Sequence, residues 1–593
     1  MVWRAEDPES GEIYKCRWDL IEYLHGKILD IGAGQFKVVD QAMSVDNGHH
    51  EGFGHVIKPD YLVKTAAQLP LIGDATMDCT LSSHLLEHFP EDQAIYVLRE
   101  WFRTVKVGGT LCLYLPEKGV YPDVGEYGAN PDHKFTPTRQ QVIDWMLKVG
   151  AWDLEVDESR SEGNEYSFLQ VYRRLPGRQN LFSCQKPKSA EKTAACFRVG
   201  AFGDMLQASS VIKGLKDDGY VVTVYASEPG CQAIEHDPHI DKLIRQEKDM
   251  VPNHLLGEFW DVRKKRYDKW VNLSESVEST LLSIPHRITY KWPKETRHRL
   301  MNHNYLEVQH ELAGVPHIPQ VRFYATESEK CLARNRRAEI GRDWSSGYMK
   351  ENTRFIILWS LAGSSIHKVY AGMDEVMQRT LDAHPEAHIV LVGGPECQKL
   401  EAGWEDNPRV TCTSGKWSIR KSLAFIDQAD LIIGPETGIL NAACCLPVPK
   451  IIFLSHSTEE NLTRDWINTT AMVPQNTPCY PCHMMHLTWD SCKRDDRTGT
   501  AACQASIDPE TVAQAIASEI DAWRSRDDGE VPRYEAEWNA LPHREVSRKV
   551  VGDMLVTLND VTNPSDTAFG ASLVIQMRMP GAQQVADPRD ETQ

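Results

Sequence analysis

The sequence predicts an α/β fold with parallel sheets. Short apolar runs alternate with segments of helical periodicity in three stretches of the chain, a pattern typical of a parallel sheet covered by helices. Two of these runs end in a glycine-bearing corner, at residues 30–34 and 198–204. Such corners bring backbone amides close to a bound group.

The first stretch contains short buried runs that predict strands and longer amphipathic segments that predict helices. The predicted strands are 28–31, 43–45, 79–82 and 110–115, and the predicted helices are 93–104 and 138–149.

Two further alternating stretches follow, and a charged segment at 327–350 separates them. The second stretch has predicted strands at 196–199 and 220–225 and a helix at 204–216. The third has predicted strands at 355–359, 388–392, 431–433 and 450–453, and helices at 369–384, 418–428 and 509–524.

These patterns divide the chain into five parts. Residues 1–176 form one α/β domain, the polar segment 177–193 is a linker, and residues 194–350 and 351–525 form two more α/β domains. Residues 526–593 are an irregular tail that we expect to be partly disordered.

Composition limits the function classes. The 593 residues carry a net charge of −19, which disfavours broad binding to nucleic acid or to an anionic membrane. The sequence shows no apolar signal region and no unbroken apolar run of about 20 residues. We therefore expect a cytoplasmic protein without a transmembrane segment, and peripheral membrane contact is left open. The 15 cysteines are too sparse for a disulfide scaffold, so we expect most of them to be reduced.

The first corner reads Asp30-Ile-Gly32-Ala-Gly34, and an acidic strand end follows at Asp46. Lys37 stands where a dinucleotide fingerprint has its third glycine, and Asp46 comes earlier than the acid of a nicotinamide site. A carboxylate at Asp46 can accept hydrogen bonds from both hydroxyls of a ribose. Further along are Ala66-Ala67-Gln68-Leu69-Pro70, Ser83-His84 and Lys106-Val-Gly108-Gly109.

Together these segments resemble a class I S-adenosylmethionine-dependent methyltransferase with a Rossmann-like fold, over roughly residues 15–175. The resemblance implies that Asp30, Gly32 and Gly34 hold the methionine end of the donor, and that Asp46 holds its ribose. It also places Ala67, Gln68 and Leu69 beside the adenine, and Ser83 and His84 along the pocket. Residues 64–67 lack the acid that the family often has beside the adenine, which predicts an altered donor affinity.

The sequence does not identify the methyl acceptor. Transfer to a hydroxyl benefits from a base, and His88 and His133 are candidates for that role, although either could be a structural histidine. The segment from His84 to His88 also matches the inverted zinc-protease pattern His-x-x-Glu-His. We set that interpretation aside because the segment is short and lies where the resemblance places the fourth strand of a methyltransferase and the loop after it.

The second corner and two later segments form another set. They read Arg198-Val-Gly200-Ala-Phe-Gly203-Asp204, Trp359-Ser360-Leu-Ala-Gly363-Ser364-Ser365-Ile-His367-Lys368 and Gly434-Pro-Glu436-Thr437-Gly438-Ile-Leu-Asn441. In this order they resemble the heptosyltransferase-like glycosyltransferases of family 9, over roughly residues 194–525. The resemblance implies two Rossmann-like domains in the GT-B arrangement, with the acceptor on the first and the nucleotide-sugar donor on the second.

Loss of a nucleoside diphosphate leaves negative charge that amides and cations must stabilise. The resemblance implies that six residues bind the nucleotide sugar: Ser360, Ser364, Lys368, Glu436, Thr437 and Gly438.

It also implies that Asp204 is the base of an inverting transfer, whereas the alternative is a helix cap. The family usually has Asp where this chain has Glu436, so the identity of the sugar stays open.

Four cysteines, at Cys479, Cys482, Cys492 and Cys503, could form a tetrahedral zinc site. Only the first two have Cys-x-x-Cys spacing, so reduced or paired thiols are the alternative, and we assign no other metal ligand.

The function expected from these observations is bifunctional modification of a glycan. S-adenosylmethionine would supply the methyl group and a nucleotide sugar the glycosyl group, with lipopolysaccharide or another surface polysaccharide as the acceptor. Two alternatives remain: modified bases in DNA as the acceptor, or one domain that only binds.

Overall fold

The computed structural model describes residues 12–16, 18–34, 37–48, 58–161, 163, 165–185, 191–247, 250–251, 256–274, 281–285, 288–341 and 354–525. The chain divides into two compact units. The first unit comprises residues 1–190 and 249–263, and the second comprises residues 191–248 and 264–593. The tail predicted at 526–593 and part of the predicted linker, residues 186–190, lie outside the described residues.

Strands and helices alternate along the described ranges. The strands are β1 (Ile28–Ile31), β2 (Met43–Asp46), β3 (Tyr61–Leu62), β4 (Met77–Ser83), β5 (Val105–Pro116), β6 (Trp152–Arg160), β7 (Ser167–Arg174), β8 (Thr193–Arg198), β9 (Val221–Ala226), β10 (Lys242–Arg245), β11 (Lys269–Asn272), β12 (Phe355–Ser360), β13 (Ala387–Val392), β14 (Val410–Cys412), β15 (Leu431–Pro435), β16 (Lys450–Phe453) and β17 (Thr469–Met472). The helices are α1 (Ala94–Thr104), α2 (Arg139–Met146), α3 (Phe202–Asp217), α4 (Glu228–Ile234), α5 (Leu256–Arg263), α6 (Lys294–Met301), α7 (Tyr305–Ala313), α8 (Glu327–Gly341), α9 (Met373–Ala383), α10 (Ile419–Phe425), α11 (Gly438–Ala443), α12 (Ala502–Ala505) and α13 (Pro509–Arg524).

The first unit is built on one sheet with strand order β3-β2-β1-β4-β5-β7-β6. Strands β1 to β5 pair in parallel, and β7 runs antiparallel to both β5 and β6. Strand order reverses between β1 and β4, and ligands of such sheets bind outside the carboxyl ends of the strands at this switch point. The residues that follow β1 and β4 are therefore expected to line a site.

The second unit contains two parallel sheets. Their strand orders are β10-β9-β8-β11 and β14-β13-β12-β15-β16-β17. The order reverses between β8 and β11 in one sheet and between β12 and β15 in the other. The same rule therefore places candidate sites after β8 and β11, and after β12 and β15.

The predicted α/β class is confirmed, and the predicted strands and helices of all three stretches form with small shifts at their ends. Several elements were not predicted, among them the following. The antiparallel strands β6 and β7 close one edge of the first sheet. In addition, much of the charged segment 327–350 forms α8, which buries Ala333 and Ile340.

None of the helices in the described residues is both long and apolar enough to cross a membrane.

Candidate active sites

The first glycine corner directly follows β1. Asp30 is buried, and its Oδ2 accepts a hydrogen bond from the amide of Val38 at 2.7 Å. Burial raises the pKa of this carboxyl to about 7. Gly32 has a left-handed backbone (φ +75°), and its amide donates to the carbonyl of Val45 at 2.8 Å. These contacts hold the corner against β2.

Gly34 and Asp46, which the sequence predicts to share a site, are in direct contact. The amide of Gly34 donates to Asp46 Oδ2 at 3.3 Å, and the amide of Gly48 donates to Asp46 Oδ1 at 2.9 Å. Gly34 has φ +59°, and no atom of the described residues lies within 4 Å of the place where its Cβ would be. Within the described part of the chain, the corner therefore has open space over Gly34 and a fixed carboxylate beside it.

The loop predicted to lie beside the adenine is fixed by α1. Glu100 Oε1 accepts a hydrogen bond from the amide of Leu69 at 2.7 Å, and Trp101 Nε1 donates to the carbonyl of Ala66 at 2.8 Å. Leu69 is buried, whereas Gln68 is exposed. The hydrogen bonds from and to α1 thus hold this loop against the helix.

Ser83 and His84 follow β4, on the other side of the switch point. The Ser83 hydroxyl is buried without a hydrogen-bond partner. His84 has a left-handed backbone with φ +49°, which is uncommon outside glycine, and its Nε2 lies 2.8 Å from Ser167 Oγ. Burial lowers the pKa of His84 to about 4, so the ring is neutral at physiological pH.

The two predicted histidines are brought together, with a carboxylate between them that the sequence analysis did not assign. Ligand atoms of Glu87, His88 and His133 all lie within 4.8 Å of one another. Burial raises the pKa of Glu87 to about 8 and lowers the pKa of His133 to about 4. The pattern His-x-x-Glu-His contains Glu87 and is the sequence signal that could have identified it. Leu86–His88 forms a single 3₁₀ turn and not the helix of a zinc protease.

Asp204 lies in the first turn of α3, at the carboxyl end of β8. Its Oδ2 accepts a hydrogen bond from the amide of Ala201 at 3.3 Å and lies 3.1 Å from Arg198 Nη2. The Arg198 side chain is fully buried, while 27% of the Asp204 side chain stays exposed. Asp204 therefore contributes to the helix cap and also keeps an accessible carboxylate, so the two alternatives are not exclusive.

The second corner packs against the segment after β15. A Cβ on Gly203 would lie 2.5 Å from Gly438 Cα, and a Cβ on Gly438 would lie 2.3 Å from the Phe202 ring. Both glycines are required by this close approach of α3 and α11. The contact brings Asp204 next to the segment that contains Glu436.

Lys368 connects the segments that follow β12 and β15. Its Nζ donates to the carbonyl of Glu436 at 2.7 Å. Burial lowers the pKa of Lys368, whereas the negative charges of Glu436 and Asp204 oppose this shift. The hydroxyl of Thr437 donates to Ser360 Oγ at 3.0 Å, and Ser364 is exposed.

Glu436 is buried and fully hydrogen-bonded. Its Oε1 accepts from the amides of Ser455 (3.1 Å) and Ser457 (3.0 Å), and its Oε2 accepts from the Ser455 hydroxyl (2.6 Å) and pairs with His456. Burial alone would raise the pKa of Glu436, but His456, Lys368 and Ser455 hold it well below its usual value. His367 Nε2 lies 3.2 Å from His456 Nδ1 and completes a second His/Glu cluster. The sequence analysis did not identify His456, which lies three residues after the end of β16, whereas Glu436 directly follows β15.

The four cysteines considered for zinc do not form a metal-ligand cluster. Among the described residues, only the groups around Glu87 and Glu436 bring three potential ligands within 4.8 Å, and no cysteine belongs to either. Cys482 Sγ instead lies 3.7 Å from His486 Nε2.

Comparison with known families matches two parts of the chain. Residues 29–113 match the family described as methyltransferase domain, and residues 259–491 match glycosyltransferase family 9 (heptosyltransferase). No curated protein matches the chain. The polypeptide therefore combines a methyltransferase domain with a family 9 glycosyltransferase domain.

Solved structures of both kinds are similar to the chain. The ADP-heptose lipopolysaccharide heptosyltransferase II of E. coli is 13% identical (TM-score 0.39), with 56% of this chain and 100% of that chain covered. A family 9 glycosyltransferase from Veillonella parvula is 14% identical (TM-score 0.39), with coverage of 56% and 97%. The 1,6-didemethyltoxoflavin-N1-methyltransferase of Burkholderia thailandensis is 15% identical (TM-score 0.22), with coverage of 28% and 78%.

Proposed function

We propose that this protein both methylates and glycosylates a surface glycan, with one reaction in each compact unit. The observation that carries the proposal is that each unit has its predicted residues at a sheet switch point. Two transferase domains in one polypeptide also suit successive steps on one acceptor.

In the first unit, S-adenosylmethionine is the donor and supplies the methyl group when bound. Gly32 and Gly34 would accommodate its methionine end with Asp30 beneath them, and Asp46 would accept hydrogen bonds from its ribose. The open space over Gly34 and the fixed carboxylate of Asp46 support this assignment. Ala67, Gln68 and Leu69 would contact the adenine, and Ser83 and His84 would line the pocket.

The methyl acceptor is a hydroxyl, and His88 or His133 removes its proton. The lowered pKa of His133 keeps that ring neutral at physiological pH, which is the form that can take up a proton. A hydroxyl acceptor is consistent with a glycan substrate.

In the second unit, Asp204 is the base that activates the acceptor hydroxyl for an inverting sugar transfer. Its accessible carboxylate and its proximity to the Glu436 segment support this role. Lys368, Thr437 and the serines at 360 and 364 would bind the nucleotide diphosphate, with Gly438 allowing the close approach.

The proposed donor and acceptor are suggested by the family match. One similar structure is described as an ADP-heptose lipopolysaccharide heptosyltransferase, and we propose an ADP-linked sugar and a lipopolysaccharide-type acceptor. Glu436 replaces the aspartate usual in the family, so a sugar other than heptose is also to be tested.

The test measures both transfers on the full-length protein with labelled S-adenosylmethionine and a panel of nucleotide sugars. Asp46→Ala should abolish methyl transfer and leave sugar transfer unchanged. Asp204→Asn should lower the kcat of sugar transfer by about 100-fold or more, which is typical for loss of a general base, and leave methyl transfer unchanged.

Two exposed aspartates provide matched controls. Asp40→Ala and Asp217→Asn, the latter at the opposite end of α3, should affect neither transfer. The assignments are wrong if Asp46→Ala retains methyl transfer or if Asp204→Asn retains sugar transfer.

A further inference from the structure

We propose that Glu87, His88 and His133 bind a divalent transition-metal ion in the first unit. Ligand atoms of these three residues lie within 4.8 Å of one another. One carboxylate with two imidazoles is a donor set that suits zinc and other first-row divalent ions.

The Glu87 carboxylate has no partner that explains its burial. The side chain is 0% exposed, and among the described residues only the backbone of Glu87 itself lies close enough to act as a donor to the carboxylate. Two imidazole nitrogens, His84 Nδ1 and His133 Nε2, lie 3.5 and 3.7 Å from Oε1, beyond the normal range for a hydrogen bond. Because an unpaired buried carboxylate is costly, such groups are normally paired with a cation or bound to a metal.

The spacing of these atoms fits ligands that surround an ion. With metal–ligand bonds of about 2.0–2.1 Å, tetrahedral geometry separates neighbouring ligand atoms by about 3.4 Å. The separation of Glu87 Oε1 from His133 Nε2, 3.7 Å, is close to this value. If these two atoms were hydrogen-bonded to each other, they would lie about 0.5–1 Å closer together than they do.

The backbone around the cluster is fixed by separate contacts. The amide of Lys134 donates to the carbonyl of Glu87 at 2.8 Å, which holds the loop of His133 against the turn Leu86–His88. His84 begins this segment with a left-handed backbone, the kind of strain that is often found at functional sites. Its Nε2 contacts Ser167 Oγ, so its Nδ1 is held toward Glu87.

The second His/Glu cluster provides an internal contrast. Glu436 accepts two amide hydrogen bonds and a hydroxyl hydrogen bond and pairs with His456, so its burial is explained without an ion. Two clusters with the same residue types therefore differ in the one property that favours a metal. This difference assigns the ion to Glu87 rather than to Glu436.

The proposed metal site adjoins the first glycine corner, residues 30–34, where the methyl donor is proposed to bind. A Cβ on Gly32 would lie 2.7 Å from Leu85 Cδ2, so the segment that contains Glu87 and His88 packs directly on this corner. With His88 and His133 held as ligands, an ion here would take the place of the histidine base by lowering the pKa of a bound acceptor hydroxyl. This role of the ion rests on the proposed methyl transfer. If both hold, the methyl acceptor is a hydroxyl that can bind a metal ion, such as one hydroxyl of a sugar diol.

The test measures metal binding by the full-length protein without S-adenosylmethionine or acceptor. Chelator-treated protein is titrated with Co²⁺, followed by visible absorption, and with Zn²⁺, followed by metal analysis after dialysis. His133→Ala and the isosteric Glu87→Gln should each lose one equivalent of metal and the histidine-type Co²⁺ absorption. His456→Ala, the matched change in the second cluster, should keep both.

The proposal is overturned if Glu87→Gln, with a circular dichroism spectrum like that of the wild type, binds as much metal as the wild type. It is also overturned if His456→Ala rather than His133→Ala loses the equivalent. Because no transfer reaction is measured, failure of the proposed methyl transfer would leave these metal readouts intact.

Discussion

Three buried carboxylates show how the surroundings of a residue decide its chemistry in this protein. Asp30 accepts an amide hydrogen bond, Glu87 accepts none from another described residue, and Glu436 accepts several and pairs with a histidine. The pKa of the first two is raised by burial, and that of Glu436 is lowered by its partners. The same functional group is therefore part of the first glycine corner at Asp30, a proposed metal ligand at Glu87 and a fixed charge at Glu436.

The raised pKa of Asp30 predicts a pH-dependent loss of folding stability in the first unit. The ordinary value is about 3.9, and the value in the folded protein is about 7, so between these pH values the folded state binds more protons than the unfolded state. The contribution of Asp30 to stability is therefore greatest at low pH and falls as the pH rises through this window, by up to about 4 kcal/mol at pH 8.

Asp30→Asn removes this cost, because the amide oxygen can still accept from Val38 and does not ionise. We expect the variant to raise the melting temperature of the first unit at pH 8, and this gain to shrink to less than about half at pH 5. Donor affinity should fall at the same time. Calorimetry at the two pH values measures this, with exposed Asp40→Asn as the control, and a gain of equal size at both values would contradict the stated cause.

At the scale of elements, the start of α3 packs against the start of α11 through glycine. Gly203 and Gly438 lie where a Cβ on either would overlap the other segment, and Phe202 covers Gly438. This contact brings the end of β8 and the end of β15 together. The α3 and α11 segments of the second unit thus meet closely because two small residues face each other.

Gly438→Ala should disrupt this contact. The added methyl group would lie 2.3 Å from the Phe202 ring, so one segment must move, and we expect sugar transfer to fall by about 10-fold or more. Removal of the ring makes room for the methyl group, so Phe202→Ala combined with Gly438→Ala should recover part of the loss. Steady-state kinetics of the two single variants and the double variant give the coupling, and strictly additive losses would contradict the packing explanation.

The sequence predicted those elements whose signals are local. Apolar runs predicted β1, β4, β8, β12 and β15. Strand ends indicated Asp30 and Asp46 as candidates, whereas Asp204 and Lys368 became candidates through the family resemblance. The antiparallel β6 and β7 were missed because β6 is rich in charge and pairs only through tertiary context. Glu87 was not assigned because its environment depends on His133, which a distant loop brings into contact.

At the scale of the whole molecule, the chain order does not match the order of the compact units. Residues 249–263 belong to the first unit, although the chain on either side of them belongs to the second. Trp18 Nε1 donates to the carbonyl of Met250 at 3.2 Å, and Arg263 donates to the carbonyl of Trp18. The first unit is thus completed by a segment that the chain supplies after the second unit has begun.

This arrangement predicts that Arg263→Ala destabilises the methyltransferase unit rather than the unit that follows it in sequence. Arg263 is buried at α5, and its guanidinium also lies 3.8 Å from Asp19 Oδ1. Loss of a buried hydrogen bond from a charged donor costs about 1–3 kcal/mol, or several degrees of melting temperature for a unit of this size. Calorimetry of the full-length protein should show two transitions. S-adenosylhomocysteine, the product that the proposed donor leaves after methyl transfer, should identify the first unit by raising its transition. Arg263→Ala should lower that transition alone, while exposed Lys265→Ala should lower neither; a lowered transition in the second unit instead would mean that residues 249–263 stabilise the glycosyltransferase domain.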